Sequence, residues 1–223
     1  MKTGYWGLRR RLQCAMGLCL LLLAAAVQAQ QTAPVTDGDA APRTVLVMGD
    51  SLSAAYGLRS EEGWVALLAE RLADGHPDWR VVNASISGET SAGGSARVVG
   101  EVLRHRPDVV VIALGANDAL RGLPLAELKY HLARMIGASR HVDARVLLVG
   151  MRMPPNLGPE YTQGFERIYR ELAAFFDIPL LPFLLEPVAV DRNNFMDDNL
   201  HPTAAAQPAI GDHVWQALAP LLR

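Results

Sequence analysis

Four short, unbroken apolar runs recur along the chain, at residues 44–50, 81–85, 108–115 and 144–150. Each is rich in Val, Ile and Leu and lacks the polar alternation of a half-exposed strand. Such runs predict parallel strands buried on both faces. A fifth, weaker run spans 178–183, "IPLLPF", and is bracketed by prolines. Between the runs, apolar residues recur at helical spacing over 63–74, 95–106, 125–140 and 164–176, and a last helical pattern covers 203–222. Strand and helix alternate without a break, which predicts an α/β fold with a parallel sheet and right-handed crossovers. In such a sheet the loops after the strands gather on one edge, where sites are built.

The first 42 residues do not follow this pattern. Lys2, Arg9, Arg10 and Arg11 precede a short apolar stretch, "LCLLLLAAAV", that ends in Val27-Gln28-Ala29. Residues 1–29 are expected to be a cleaved signal peptide, and 30–42 a flexible start of the mature chain. One domain is expected over 43–223, and a periplasmic or secreted location. Removing 1–29 takes four basic residues and no acidic one, so the formal charge moves from −2 to −6. An acidic chain argues against nucleic acid as a partner. Both cysteines, Cys14 and Cys19, fall in the leader. The mature chain therefore has no disulfide and no thiolate chemistry.

The strand-end loops carry the candidate chemistry. After the first run stands Gly49-Asp50-Ser51, at a strand-to-helix junction. Ser51 is either a helix cap or a nucleophile whose own N–H faces a developing oxyanion. Ser53 is a second candidate for the cap. A serine nucleophile needs a base, and the base an orienting acid. Of six histidines, His105, His131, His141 and His213 fall in or at the ends of helical patterns, and His76 in a connecting loop. His201 lies in "DDNLHP", with Asp198 three residues before it. That turn can bring a carboxylate to the imidazole, although Asp197 is also near. Gly88, after the second run, can bring its backbone N–H close to a ligand. Asn117, after the third, carries a side-chain amide. Their structural alternatives are a turn glycine and an Asx-turn asparagine. No G-x-S-x-G elbow, zinc signature, phosphate loop or dinucleotide fingerprint is present, and no metal or cofactor is expected.

Four blocks in order, "GDSLSAAYG" (49–57), "NASISGETS" (83–91), "GAND" (115–118) and "DNLHP" (198–202), resemble those of the SGNH, or GDSL, hydrolases. The branch most similar is that of TesA-type secreted enzymes, described as thioesterase I, lysophospholipase and arylesterase. The resemblance covers 43–222. It implies a flavodoxin-like, three-layer α/β/α sandwich with a five-stranded parallel sheet. It implies Ser51 as nucleophile, His201 as general base and Asp198 as its orienter, with an oxyanion hole of Ser51, Gly88 and Asn117. "GAND" departs from the commoner "GGND", placing Ala116 before the asparagine.

The resemblance also sets loop 118–124 and segment 151–157 along an acyl chain. Leu123, Met153, Pro154 and Leu157 are the substrate-binding candidates, and Met153 has packing beneath its own loop as its alternative. The expected substrates are small acyl esters or thioesters, lysophospholipids among them, with broad specificity. Stable membrane insertion is not expected, and a monomer is. Three other readings stay open: a carbohydrate deacetylase with the same residues, a non-catalytic acyl-binding protein, and a metal-assisted hydrolase using Asp197, Asp198 and His201.

Overall fold

A computed structural model of the chain describes residues 42–222. The expected signal peptide and the flexible start up to residue 41 lie outside the described residues. Five strands form one parallel sheet: β1 (Arg43–Gly49), β2 (Trp79–Asn83), β3 (Val109–Ala113), β4 (Arg145–Val149) and β5 (Leu180–Leu181). Their order is β2-β1-β3-β4-β5. The helices are α1 (Trp64–Gly75), α2 (Ser91–His105), α3 (Ala116–Leu120), α4 (Leu125–His141), α5 (Pro159–Phe176) and α6 (Gln207–Leu218).

Strand side chains alternate between two cores. Val45, Val47, Val109 and Val111 point to the face packed by Trp64, Leu68 and Leu72 of α1 and Ile210, Val214 and Leu218 of α6. Leu46, Met48, Val110 and Ile112 point to the face packed by α2, α4 and α5. The result is a three-layer α/β/α sandwich. All these strand residues are fully buried, which is why the runs carry no polar alternation.

The order reverses direction at β1. From there the chain crosses outward to β2 and returns past β1 to β3. That reversal opens a crevice between the loops after β1 and β3. Gly49 pairs with Ala113, so the two strands end level.

The predicted runs and the observed strands agree to within a few residues, except that β5 is only two residues long. Pro179 and Pro182 flank it, and proline cannot supply a ladder N–H. Four helices differ from expectation. α5 begins at Pro159 rather than 164, and α6 covers 207–218 with a short 3-10 turn on each side instead of one helix over 203–222. α2 begins at Ser91 rather than 95, with the Thr90 hydroxyl accepting from Gly93 N at 3.4 Å as its cap. α3 is a helix of five residues where a plain loop was expected.

α3 begins at a strained point. Gly115 has φ +124°, and a Cβ there would lie 2.1 Å from the Tyr169 hydroxyl. Tyr169 is buried and donates to Leu114 O at 2.8 Å. The Gly115→Ala variant is therefore expected to lose about 2–4 kcal/mol of unfolding free energy, measured by denaturant titration. An unchanged midpoint would contradict this account of the turn.

Candidate active site

Asp50 is the first residue past β1, and it builds the turn that carries Ser51. Its carbonyl accepts from Ser53 N at 3.1 Å and Ala54 N at 2.9 Å. Its carboxylate Oδ1 accepts from Leu52 N at 3.0 Å. The acid thus caps the turn, and neither serine does. Ser53 Oγ is buried without a hydrogen-bond partner among the described residues, which corrects the expectation that Ser53 could serve as the cap. Ser51 Oγ is left free to face outward.

His201 reaches Ser51 from the far end of the chain. Its Nε2 lies 2.8 Å from Ser51 Oγ, and its Nδ1 lies 2.6 Å from Asp198 Oδ2. The Asp198 carboxylate also accepts backbone N–H groups of His201 at 3.0 Å and Leu200 at 2.9 Å. These bonds, that of the His201 backbone first, pull the Asp198 carboxyl down to about 2. Asp198 does not owe this to burial, because its side chain is 40% exposed. An ionised Asp198 can only accept, so Nδ1 carries the ring proton and Nε2 of the neutral ring accepts from the Ser51 hydroxyl. Of Asp197, the carbonyl oxygen is engaged, by Asn199 Nδ2 at 3.4 Å.

The 194–203 loop holds this turn by a bridge between Phe195 and Pro202 and by Met196 N donating to His201 O at 2.8 Å. Among the described residues no three His, Cys, Asp or Glu side chains gather as metal ligands.

Ser51, Gly88 and Asn117 follow β1, β2 and β3 at the same sheet edge, Ser51 and Asn117 on the groove wall and Gly88 outside it. Gly88 sits at φ +79° in a turn closed by Glu89 N donating to Ile86 O at 3.1 Å, a conformation glycine adopts freely. Ile86 N donates to Gly49 O at 3.0 Å, tying this turn to the end of β1, and Arg121 Nη2 donates to Gly88 O at 2.8 Å. The N–H groups of Ser51 and Gly88 are engaged by no other described residue. Asn117, on the first turn of α3, donates from Nδ2 to Glu89 O at 3.1 Å and, longer, to Asp50 Oδ2 at 3.4 Å. The next residue, Asp118, is buried and accepts Ser91 N at 2.8 Å and Ser91 Oγ at 2.6 Å. That clamp fixes α3 against the start of α2.

A groove of about 400 Å³ opens beside these residues. Ser51, Asn117 and His201 line it together with Leu120, Met151, Met153, Phe183, Leu185, Phe195 and Leu200. Arg152 is on the wall too, with its guanidinium over the Phe183 ring at 5.3 Å. Of the four expected substrate-binding residues, Met153 and Pro154 line the groove. Leu123 and Leu157 do not. Leu157 is partly buried and packs against the core that α2, α4 and α5 cover, and the Leu123 carbonyl accepts from the Tyr161 hydroxyl at 2.8 Å. Sequence reasoning missed Asp50, Asp118 and the aromatic wall of Phe183 and Phe195. For Asp50 the signal was an acid directly after a fully apolar strand.

Residues 47–208 match the model of the GDSL-like lipase/acylhydrolase family. The chain belongs to that family. Its relatives include an esterase, TesA, of Pseudomonas aeruginosa, 50% identical over 183 residues that cover 82% of this chain and 91% of that one. Another is thioesterase 1/protease 1/lysophospholipase L1 of Escherichia coli, 40% identical over 187 residues covering 82% and 86%. A crystal structure of TesA, 50% identical, superposes with a TM-score of 0.78 over 80% of this chain and 99% of that one. The family membership makes the chain an ester-bond hydrolase.

Asp50 is 2% exposed, and burial lifts its carboxyl from 3.8 to about 6, partly offset by the Leu52 N–H and by His201. A raised carboxyl binds protons more tightly in the folded than in the unfolded chain. Its stabilising contribution is present below about pH 4 and is lost as pH rises through 6. Relative to Asp50→Asn, the wild type should gain on the order of 2–3 kcal/mol between pH 7 and pH 4, read by denaturant unfolding at each pH. A difference that stays flat would contradict the burial argument.

Proposed function

We propose that the chain hydrolyses acyl esters and thioesters through a covalent Ser51 acyl-enzyme. The observation that carries this reading is the unbroken line Ser51 Oγ, His201, Asp198, at 2.8 and 2.6 Å, on the wall of an apolar groove. Ser51 Oγ attacks the acyl carbonyl carbon while His201 Nε2 takes its proton. The imidazolium that forms is held by the ionised Asp198. Negative charge on the carbonyl oxygen is met by the N–H groups of Ser51 and Gly88 and by Asn117 Nδ2. Asn117 can give up its long contact to Asp50 for the oxyanion while keeping the shorter one to Glu89 O. His201 then passes the proton to the departing alkoxide or thiolate. Water, activated by the same nitrogen, releases the acid.

The walls of Met151, Met153, Phe183, Leu185 and Phe195 suit an alkyl chain longer than acetyl. Methionines adapt to varied shapes, which favours breadth over selectivity. Esters, thioesters and lysophospholipids are the substrate classes that fit, in line with the names of the relatives. An exported chain, as residues 1–29 lead us to expect, meets envelope lipids rather than the cytoplasmic acyl-CoA pool. It acts on them as a monomer from solution. Among the described residues no helix is long and apolar enough to cross a membrane.

The test compares the purified wild type with Ser51→Ala on a short aryl ester, a long-chain acyl thioester and a lysophospholipid. The variant should lose about 10³-fold or more in kcat on all three. Rapid quenching and mass spectrometry should find an acyl adduct on Ser51 in the wild type. Comparable turnover in the variant would sink the reading.

Shortening the wall is a separate check. Met153→Ala should lower kcat/KM about tenfold for a long acyl chain and leave an acetyl ester within about twofold. Equal losses on both would mean that Met153 does not contact the chain.

A further inference from the structure

We infer that Tyr56 is a positioning residue for His201, holding the imidazole plane and favouring its charged form during acyl transfer. This inference rests on the proposed role of His201 as the base and goes one layer beyond it. The Tyr56 and His201 rings lie 4.4 Å apart, centroid to centroid, tilted by 38°. The hydrogen bonds to Asp198 and Ser51 fix the two nitrogens of the imidazole. They leave the ring able to rock about the line joining those nitrogens. A ring laid against its face removes that motion.

The backbone is arranged to present this ring. Tyr56 stands between Ala55 at φ +56° and Gly57 at φ +74°. The left-handed conformation is costly for alanine and is kept where surrounding contacts demand it. Those contacts are present. A Cβ on Gly63 would meet Ala55 Cβ at 2.7 Å, so the absence of a side chain at 63 makes room for Ala55. A Cβ on Gly57 would meet Met196 Sδ at 3.0 Å, so this turn lies on the loop that carries His201. Tyr56 N donates to Ser51 O at 3.2 Å. The residue bearing the attacking hydroxyl therefore anchors the ring that backs the base.

Tyr56 is 52% exposed, unusual for a large ring that is fixed by strained backbone. Its hydroxyl has no hydrogen-bond partner among the described residues, so the ring face, and not the oxygen, does the work. A cation within about 6 Å of an aromatic centroid is favoured by the ring's negative face. His201 becomes such a cation when it takes the Ser51 proton. The other charged groups acting on it are the Asp198 and Asp50 carboxylates.

The experiment uses the intact protein, a soluble aryl ester, and the variants Tyr56→Phe, Tyr56→Leu and Tyr56→Ala. Tyr56→Phe should keep kcat within about twofold. Tyr56→Leu and Tyr56→Ala should each lower kcat about 3- to 10-fold with KM nearly unchanged. The same two variants should move the acid limb of the kcat/KM profile about half a pH unit lower. Loss in Tyr56→Phe equal to that in Tyr56→Ala would overturn the proposal, as would kcat and acid limb left unchanged in Tyr56→Ala and Tyr56→Leu. A loss of kcat that appears only as lost folded protein, read by thermal unfolding, with no shift of the limb, would also overturn it. Ser51→Ala reports separately on the parent reading: turnover surviving there removes the base role of His201, whatever Tyr56 does.

Discussion

The level pairing of β1 with β3 is the constraint from which the site follows. Parallel backbone hydrogen bonds bring Gly49 opposite Ala113, and both strands are buried on both faces. Neither can slide without moving its apolar side chains out of two cores at once. What stands just past each strand end is therefore fixed in space. Asp50 and Ser51 follow one strand, Gly115 and Asn117 the other, and the Gly88 turn is tied to Gly49 O. Three chain segments far apart in sequence thus meet on one rim. His201 then has only to be delivered to a place that already exists.

Three carboxyl groups around that rim serve three different ends. Asp118 is buried with its oxygens filled by Ser91, and it fastens helix to helix. Asp50 is equally buried but holds one good bond, to Leu52 N, and one long one, to Asn117. Its environment opposes the charge, and its carboxyl rises to about 6. Asp198 is half in solvent yet stays ionised, because two backbone N–H groups and the imidazole point at it. Burial sets the Asp50 carboxyl, and the geometry of donors sets that of Asp198.

The sheet was legible in the sequence because strands buried on both faces leave an unbroken apolar run. The strand-end loops could then be named, and with them Ser51, Gly88, Asn117 and His201. The start of α2 was hidden. "SAGGS" has the composition of a loop, yet it forms the first turn of a helix, where Ser91 and Ser95 are buried and a Cβ on Gly94 would meet Leu114 Cδ1 at 2.3 Å. Close packing overrode local propensity there. α3 was hidden because five residues are too few to show a period. Asp198 could be preferred to Asp197 on family spacing alone; what separates them is a side-chain direction that one sequence does not encode locally. Leu123 and Leu157 came with segments 118–124 and 151–157, of which Leu120, Met151, Met153 and Pro154 do line the groove, whereas Phe183, Leu185 and Phe195 wall it from beyond β5, where no loop motif marks them.

The half-exposed Asp198 beside a partly open His201 fits the two halves of the proposed reaction. The first half needs a dry, apolar wall for the acyl chain, and Met153, Phe183 and Leu185 supply it. The second half needs water at the same imidazole. Burying the base and its acid would serve the first half and starve the second. Here the wall lies around β4 and β5, while the base rides on an open loop, with His201 itself 17% exposed. An acid left half in solvent would ordinarily lose much of its hold on the imidazole to screening. The N–H groups of Leu200 and His201, built into the same short turn, keep the carboxylate aimed without a buried pocket. Local backbone geometry in "DNLH" thus does the task that burial performs elsewhere, and leaves the site open to the second reactant.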